Sequence, residues 1–479
     1  MMAKEKSVDQ ITDMDVDFTQ WFTDIVTKAK LIDYSGVKGF FILRPYAFAI
    51  WENIQSVLDG MFKDLGHENV AMPLLIPESL LQKEKDHVDG FAPEVAWVTH
   101  GGSEELAERL CIRPTSEVLF CEHWKNVLHS WRDLPMLYNQ WNSVLRWEKS
   151  TRPFLRGREF YWQEGHTLHA TAEEAEEETQ NMLDVYATFC EEYLAMPVVK
   201  GKKTDKEKFA GALATYTVEC MMHDKKALQS GTSHYFGDGF ARAFEIQFSD
   251  KNNQLAYPHQ TSWGLSTRII GGIIMTHGDN NGLNLPPRIA PVQAIIIPIA
   301  AHKPGVLEKA EELASRLKTA GVRVKIDKSD QSPGWKFAEN EMKGVPIRIE
   351  IGPKDIENDQ CVAARRDTGE KLPIPLTDVE KRINELLEEI QKNLFNKAKE
   401  NLISNTRNAA TLEEVKSIFN EHGGFVNTMW CGSNECEMKM KEEAGVTSRC
   451  IPYEQTKVAD LCPICKTPAE SMVVWGVAY

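Results

Sequence analysis

The chain has 479 residues, 42% hydrophobic and 26% charged, with a formal net charge of −15. That length exceeds what one hydrophobic core serves, so two to four domains are expected. No run of 18 apolar residues occurs, so no membrane-spanning helix is expected. The opening MMAKEKSVDQITD lacks the apolar stretch of a signal peptide. The acidity argues only mildly against a nucleic-acid partner, because runs such as TAEEAEEETQ (171–180) concentrate it on a solvated helix face. Ten cysteines are scattered, four of them near the C-terminus in metal-like spacing. This pattern suits a reducing cytoplasm better than a disulfide framework.

In chain order, residues 13–30 have helical periodicity, with Phe18, Trp21, Phe22 and Ile25 on one face. A second amphipathic helix spans 46–65 and stops at Gly66; GHENVAMPLLIP then continues as an extended segment. Residues 104–131 open on the polar stretch RPTSE (113–117) and continue as a helix. A hairpin occupies 137–168, and 172–195 is helical. From 215 to 270 short β-like runs (FARAFEIQFSD, LAYPHQTSWG) alternate with Gly-rich turns, the signature of an antiparallel sheet flanked by helices. Prolines at NLPPRIAPVQ (284–293) mark a boundary. Strand–helix–strand alternation follows, from AIIIPIA to IRIEIG, and predicts a small α/β domain with a mostly parallel sheet. Residues 377–421 are strongly helical, and the tail from 425 carries the clustered cysteines. The expected organisation is α+β: a catalytic domain over 1–285, an α/β domain over 286–385, and a helical plus zinc-binding-like α/β domain over 386–479.

The chemistry concentrates in a few segments. In LRWEKSTRPFLRGREF (145–160), Arg146 and Glu148 alternate with Leu145 and Trp147, which predicts two polar groups on one face of a strand. A second strand is expected to carry Arg156 and Phe160. Guanidinium forks bind phosphate oxygens in a fixed plane and do not lose their charge. Arg146 suits an α-phosphate and a substrate carboxylate, Glu148 an adenine amino group, Arg156 the distal phosphates, and Phe160 stacking on the base. TSWGLSTRIIGG (261–272) places Gly264 and Arg268 at the start of an apolar helix, where anions are favoured and Arg268 would stabilise a leaving pyrophosphate. Each segment also has a plainer reading: a surface hairpin with salt bridges, or a capped helix. RPTSE offers Thr115 and Glu117 to a cationic amine, or else a capping box. QSGTSHYFG (229–237) offers Gln229, Thr232 and His234 around a Gly turn. Cys431-x4-Cys436 and Cys462-x2-Cys465, 25 residues apart, match a tetrahedral structural Zn²⁺ site, with Cys450 spare.

Together these segments resemble the three signature motifs of class II aminoacyl-tRNA synthetases. Residues 66–75, with Pro73, look like motif 1, which lies at the dimer interface in that family. Residues 145–160 look like motif 2, and 264–268 like motif 3. Within the class, the chain is similar to prolyl-tRNA synthetases of the archaeal and eukaryotic type. The resemblance extends through FLRGREFYWQEGHT, GTSHYFG, GVPIRIEIGPKD, ARRDTGEK and the final Tyr479. It implies a homodimeric ligase that uses L-proline, ATP with Mg²⁺, and tRNA(Pro). Thr115, Glu117, Arg146, Trp162, Glu164, His166, Phe209, His234, Ser262 and Gly264 would form the proline site. Arg146, Glu148, Arg156, Phe160, Gln229, Thr232, Ser266 and Arg268 would meet ATP, with Arg146, Arg156 and Arg268 catalytic. The α/β domain would bind the anticodon, with Trp335, Lys336, Glu350, Lys354, Arg365 and Arg366 as candidates. The last carboxylate, at Tyr479, would turn back toward the catalytic domain. Ser266 stands where Thr is usual. The short interval between residues 160 and 264 leaves no room for an inserted editing domain, so a separate trans-editing protein is implied, since a proline pocket discriminates weakly against alanine. The rival readings are a threonine- or serine-specific relative, and a synthetase-like regulatory protein without catalysis.

Overall fold

A computed structural model describes residues 11–83, 95–469 and 471–479. FAPEVAWVTHGG (91–102), a further segment of the family resemblance, has its first part (91–94) outside the described residues. The helices Phe18–Lys28 and Pro45–Asp64 form where their apolar positions recur at helical spacing, burying Trp21, Phe22 and Ile25, and Ile50, Trp51, Ile54 and Leu58. Asp17 caps the first by accepting from the Gln20 amide. Pro45, at the first position of the second, is tolerated because that amide has no helical partner.

The dominant feature is one eleven-stranded sheet. Its centre is antiparallel: Met136–Leu145, Glu159–His169, His259–Ser266, Ala227–Gly237, Ala214–Met221 and Val198–Lys202, in that spatial order. Successive residues alternate faces. On one face Trp263 packs between Phe62 and His67, with ring centroids at 4.9 and 5.1 Å. The helix Ala172–Thr188 covers this side, and its Tyr186 hydroxyl donates to Gln163 (2.8 Å). The other face is left for the site.

The α/β unit follows, with a five-stranded sheet whose core is continuous with the apolar face of the helix Val379–Ser404. Ala294–Pro298 pairs in parallel with Val324–Ile326 and Ile347–Ile351, but Gln360–Arg365 and Lys371–Pro375 add antiparallel strands. The sheet is therefore mixed rather than mostly parallel. The expected division after residue 385 falls inside a helix that keeps Leu386, Leu387, Ile390 and Leu394 in the α/β core.

The C-terminal strands Thr406–Asn408, Phe425–Trp430, Ser471–Gly476 and Thr447–Pro452 complete the long sheet. The junction is the pairing of Ile451 and Pro452 with Lys202 and Gly201. Tyr479 returns to the central sheet: its amide donates to the Ala227 carbonyl (3.1 Å) and its hydroxyl to Asp224 (2.5 Å).

Some local expectations differ. Residues Glu104–Ile112 form a strand, with the helix beginning at Glu117. FARAF contains a short helix, Gly239–Ala243. The helix expected through 195 widens into a π-helical turn over Phe189–Tyr193.

Candidate active site

Strand register builds the floor of a cavity of about 210 Å³. His166, Glu164 and Trp162 lie opposite Ser262, Gly264 and Ser266. Ser262 and Gly264 in turn face His234 and Thr232, and His234 and Gln229 face Thr215 and Glu219. Cross-strand partners project to the same side, so four strands present their polar residues to one space. Gly264 leaves that space open, because a Cβ there would sit 3.3 Å from the Trp162 ring.

At one end lies a carboxylate suited to an amine. Glu117 is buried at the start of the helix Glu117–Val127 and accepts from the hydroxyls of Thr115 (2.6 Å) and Ser262 (3.4 Å). Trp162 and Phe209 supply apolar walls, with the Phe209 ring 4.6 Å from that of His234. Burial, with His166 and Arg146 nearby, pushes His234 down to about 3, so its imidazole is neutral at pH 7. Its Nδ1 lies 3.0 Å from the Thr215 hydroxyl.

Glu164 lines the same cavity, yet its oxygens are taken. Oε1 accepts from Ser116 Oγ (2.5 Å), Gln140 Nε2 (2.8 Å) and Asn142 Nδ2 (2.9 Å). Oε2 accepts from the Ser116 amide (3.1 Å) and lies 2.9 Å from His166 Nε2. Burial alone would raise its pKa, but these bonds hold it below the usual carboxylate range. Asn142 passes the order on, accepting from the Trp162 indole (2.6 Å).

At the other end three guanidiniums gather. Arg146 lies over the rings of Phe160 (5.4 Å) and Trp162 (5.5 Å) and donates through Nε to the Pro114 carbonyl (3.2 Å). Arg268 opens the helix Arg268–His277 and donates through Nε to the Leu155 carbonyl (3.1 Å). Burial, then Arg146 and Arg156, pulls Arg268 down to about 10, so it stays charged at neutral pH. Glu148, 3.6 Å from Arg156 Nη1, offsets part of the charge. An anionic ligand would relieve the remaining repulsion.

The local conformations differ from those expected. The strand ends at Leu145 and the next begins at Glu159. The Glu148 amide folds back onto the Arg146 carbonyl (2.7 Å), so strand alternation does not place these two side chains, and Arg156 belongs to the loop. Gln229, Thr232 and His234 sit along the strand Ala227–Gly237 rather than around a turn. Gly264 is inside the strand His259–Ser266, two residues before its end.

Residues not singled out from sequence also line or support the cavity: Glu207, Thr215 and Ser230 on its wall, and Glu219 beside Gln229. The polar alternation Thr215-x-Thr217-x-Glu219 in an apolar run was the available signal. Glu219 is buried; its Oε1 accepts from Lys203 (2.7 Å) and Thr217 (2.9 Å), and its Oε2 has no hydrogen-bond partner among the described residues.

Among the α/β candidates, Trp335 is half-buried and Lys354 exposed. Lys336 is buried and donates to the Asp327 carbonyl (3.0 Å), and Glu350 pairs with Arg348 (3.0 Å) and Lys371 (2.9 Å). Arg365 is held by Asp367 (2.8 Å) and Glu389 (3.0 Å), and Arg366 by Asp279 (2.6 Å). As placed, both guanidiniums are paired within the chain. In the tail, the sulfurs of Cys431, Cys436, Cys462 and Cys465 lie within 4.8 Å of one another. Cys450 is buried in a separate apolar cluster.

Residues 97–277 match the tRNA synthetase class II core domain (G, H, P, S and T), 293–386 the anticodon binding domain, and 412–479 the prolyl-tRNA synthetase C-terminal domain. The chain is 63% identical over 479 residues to a proline--tRNA ligase of Ruminiclostridium cellulolyticum, and 62% identical over 479 residues to one of Clostridium novyi. It is 63% identical over 478 residues to a proline--tRNA ligase 2 of Bacillus cereus. In each case 100% of both chains is covered. A buried carboxylate, an apolar wall and a cluster of guanidiniums thus stand in a chain that matches these relatives end to end: it belongs to the proline--tRNA ligases of the class II tRNA synthetases.

Proposed function

We infer that the protein is a ligase that activates L-proline with ATP and transfers it to the 3′ end of tRNA(Pro). The observation that carries this reading is the joining, in one cavity, of an amine end at Glu117 and a phosphate end at Arg146 and Arg268, with Arg156 near enough for its charge to act on Arg268. The proline carboxylate attacks the α-phosphorus, giving prolyl-adenylate and pyrophosphate. A terminal ribose hydroxyl of the tRNA then attacks the acyl carbon and AMP leaves. Neither step needs a covalent enzyme intermediate, so positioning and charge stabilisation supply the rate.

In this reading Glu117, with Thr115, takes the secondary ammonium, and Trp162, Phe209, His166, His234, Ser262 and Gly264 shape the ring pocket. Arg146 spans the carboxylate and the α-phosphate. Phe160 and Glu148 hold the adenine, Gln229, Thr232 and Ser266 the ribose and phosphate side, and Arg156 and Arg268 the departing pyrophosphate. Glu164 works through Ser116 and Asn142 rather than by direct contact.

Glu219, whose buried Oε2 has no hydrogen-bond partner among the described residues, would hold Mg²⁺, and the ion would neutralise phosphate charge. The four sulfurs fit Zn²⁺. A tetrahedron with Zn–S of about 2.3 Å has edges of about 3.8 Å, and Cys465 Sγ lies 3.6 Å from Cys431 Sγ. The ion would fix the C-terminal fold. A homodimer is supported by the segment after Gly66, which is tied to the sheet by Arg113 donating to the Met72 carbonyl (2.7 Å) and flanked by exposed Leu65 and Leu74. Trp335 and Lys354 remain the α/β residues open to an anticodon base. A separate protein would clear alanine charged in error. No helix among the described residues is long and apolar enough to cross a membrane, and we place the protein in the cytoplasm. The threonine-specific and non-catalytic readings are not favoured, because relatives at this identity carry proline ligase names and the three arginines converge.

Amino-acid-dependent ATP–pyrophosphate exchange, run across the twenty amino acids, tests the reading. Proline alone should support strong exchange, and Arg146→Ala should reduce it by about 10³-fold, the scale of losing one preorganised charge contact. Strong exchange with threonine, or near-normal exchange in the variant, contradicts it.

A further inference from the structure

The seam between the α/β unit and the catalytic unit is made for contact at backbone distance. Gly282 has φ +124, and a Cβ there would sit 2.6 Å from Met342 Cα; Gly344 has φ +66, and a Cβ there would sit 2.6 Å from the Leu283 carbonyl carbon. Across this seam the Leu283 amide donates to the Met342 carbonyl (3.0 Å), and the Leu285 amide to the Gly344 carbonyl (3.2 Å). The Tyr46 hydroxyl donates to the Lys343 carbonyl (2.9 Å), and Lys30 pairs with Glu339 (2.7 Å). All of these seat the C-terminal end of the helix Pro333–Met342. Its N-terminal end carries Trp335, seven residues and about 10 Å away at 1.5 Å per residue.

One ion pair closes the seam. Arg366 donates from Nη1 and Nη2 to the two oxygens of Asp279 (2.7 and 2.6 Å) and from Nε to the Glu341 carbonyl (3.1 Å). Its side chain is 5% exposed. The Asn281 amide fixes Asp279 Oδ1 (2.8 Å), and the Trp21 indole donates to the Asp279 carbonyl (3.0 Å). Asp279 follows directly on Gly278, which ends the helix opened by Arg268. The clamp therefore ties the helix of the α/β unit to the helix of the pyrophosphate arginine, and a planar bidentate pair fixes orientation as well as distance.

We propose that Asp279 and Arg366 are positioning residues for the transfer step: they set the spacing between the surface that holds the body of the tRNA and the cavity that holds the adenylate. This rests on the tRNA ligase reading above. A tRNA held by a rigid seam presents its terminal hydroxyl in place, whereas a loosened seam lets it wander, and misplacement by about 1 Å can cost up to 10²-fold in rate. Amino-acid activation uses the catalytic unit alone and does not feel the spacing.

The test uses the full chain and separates the two half-reactions. Asp279→Asn leaves proline-dependent exchange, measured without tRNA, within about twofold, while kcat for charging a tRNA(Pro) transcript falls about tenfold and KM for that tRNA stays within about threefold. Asp279→Glu, which restores the charge, recovers most of kcat. Lys30→Gln loosens the same seam at a side chain 47% exposed, too open to endanger folding, and lowers the same parameter by a smaller factor. Parallel loss of exchange and charging in Lys30→Gln and Asp279→Glu, a change confined to KM, or no change at all overturns the proposal. Failure of the unaltered protein to charge tRNA with proline would instead overturn the ligase reading.

Discussion

Glu164→Gln replaces one carboxylate oxygen by an amide nitrogen, which has no lone pair for the donors that converge there. At the Oε1 position the new NH₂ would oppose the amide donors of Gln140 and Asn142. At the Oε2 position it would oppose the Ser116 N–H, with the Thr115 hydroxyl (3.5 Å) turning to accept and His166 changing tautomer so that Nε2 accepts. The second arrangement is cheaper and still strands a buried amide donor, at about 1–3 kcal/mol. Ser116 adjoins Thr115 and Glu117, and Asn142 orients Trp162, so the loss falls on the proline end. KM for proline should rise about tenfold, the equivalent of roughly 1.4 kcal/mol, with KM for ATP within about twofold. Exchange kinetics in both substrates provide the measurement. Tetrahydrofuran-2-carboxylate, a proline analogue without the ammonium, separates positioning from direct contact. If Glu164 positions other groups, inhibition by the analogue also weakens in the variant. If the analogue binds both proteins equally while proline does not, Glu164 touches the ammonium and the reasoning is refuted.

Gly165→Ala places a Cβ 2.1 Å from the buried Trp263 ring, which Phe62 and His67 enclose, so a loss of about 3 kcal/mol and a Tm lower by roughly 3–5 °C are expected; an unchanged melt would contradict the packing described. Burial pushes His169, His234 and His277 down to about 4, 3 and 4. Their folded values lie below the unfolded one, so their contribution is complete above pH 6.5 and is lost as pH falls toward 4. Each adds a slope of about 1.4 kcal/mol per pH unit through that window. Tm should hold from about pH 7.5 to about 6.5 and then fall toward about pH 4.5, and a flat profile below about pH 6 would argue against neutral histidines in the fold. Cys462→Ser should lower bound zinc, read by atomic absorption, together with Tm; unchanged metal content would remove the zinc assignment.

The site was legible where chemistry and periodicity coincide. Trp162, Glu164 and His166, given by the resemblance, alternate in the sequence and lie on one face of a strand, and the cysteine spacing led to four sulfurs within 4.8 Å of one another. Less was legible where tertiary bonding decides. Arg146 and Glu148 read as strand residues, but the chain leaves the sheet at Leu145 and turns on a single short hydrogen bond. Gln229 to His234 read as a turn because of Gly231, yet that glycine is needed inside a strand, where a Cβ would press on the Tyr186 ring at 3.0 Å. Arg366 read as a nucleic-acid contact because its partner, Asp279, is 87 residues away in sequence. Glu164 read as a ligand because nothing local reveals that Gln140 and Asn142 already occupy it.

The junction through Ile451 and Pro452 bears on any attempt to dissect the chain. Without the C-terminal strands, Gly201 and Lys202 would lose their pairing with Pro452 and Ile451 and Val199 its apolar cover, which opens the border of Val198–Lys202. Such an edge recruits other chains. A truncated catalytic fragment should therefore precipitate or self-associate when expressed, however intact its cavity, unless the newly bared border is blunted with a charge or a proline.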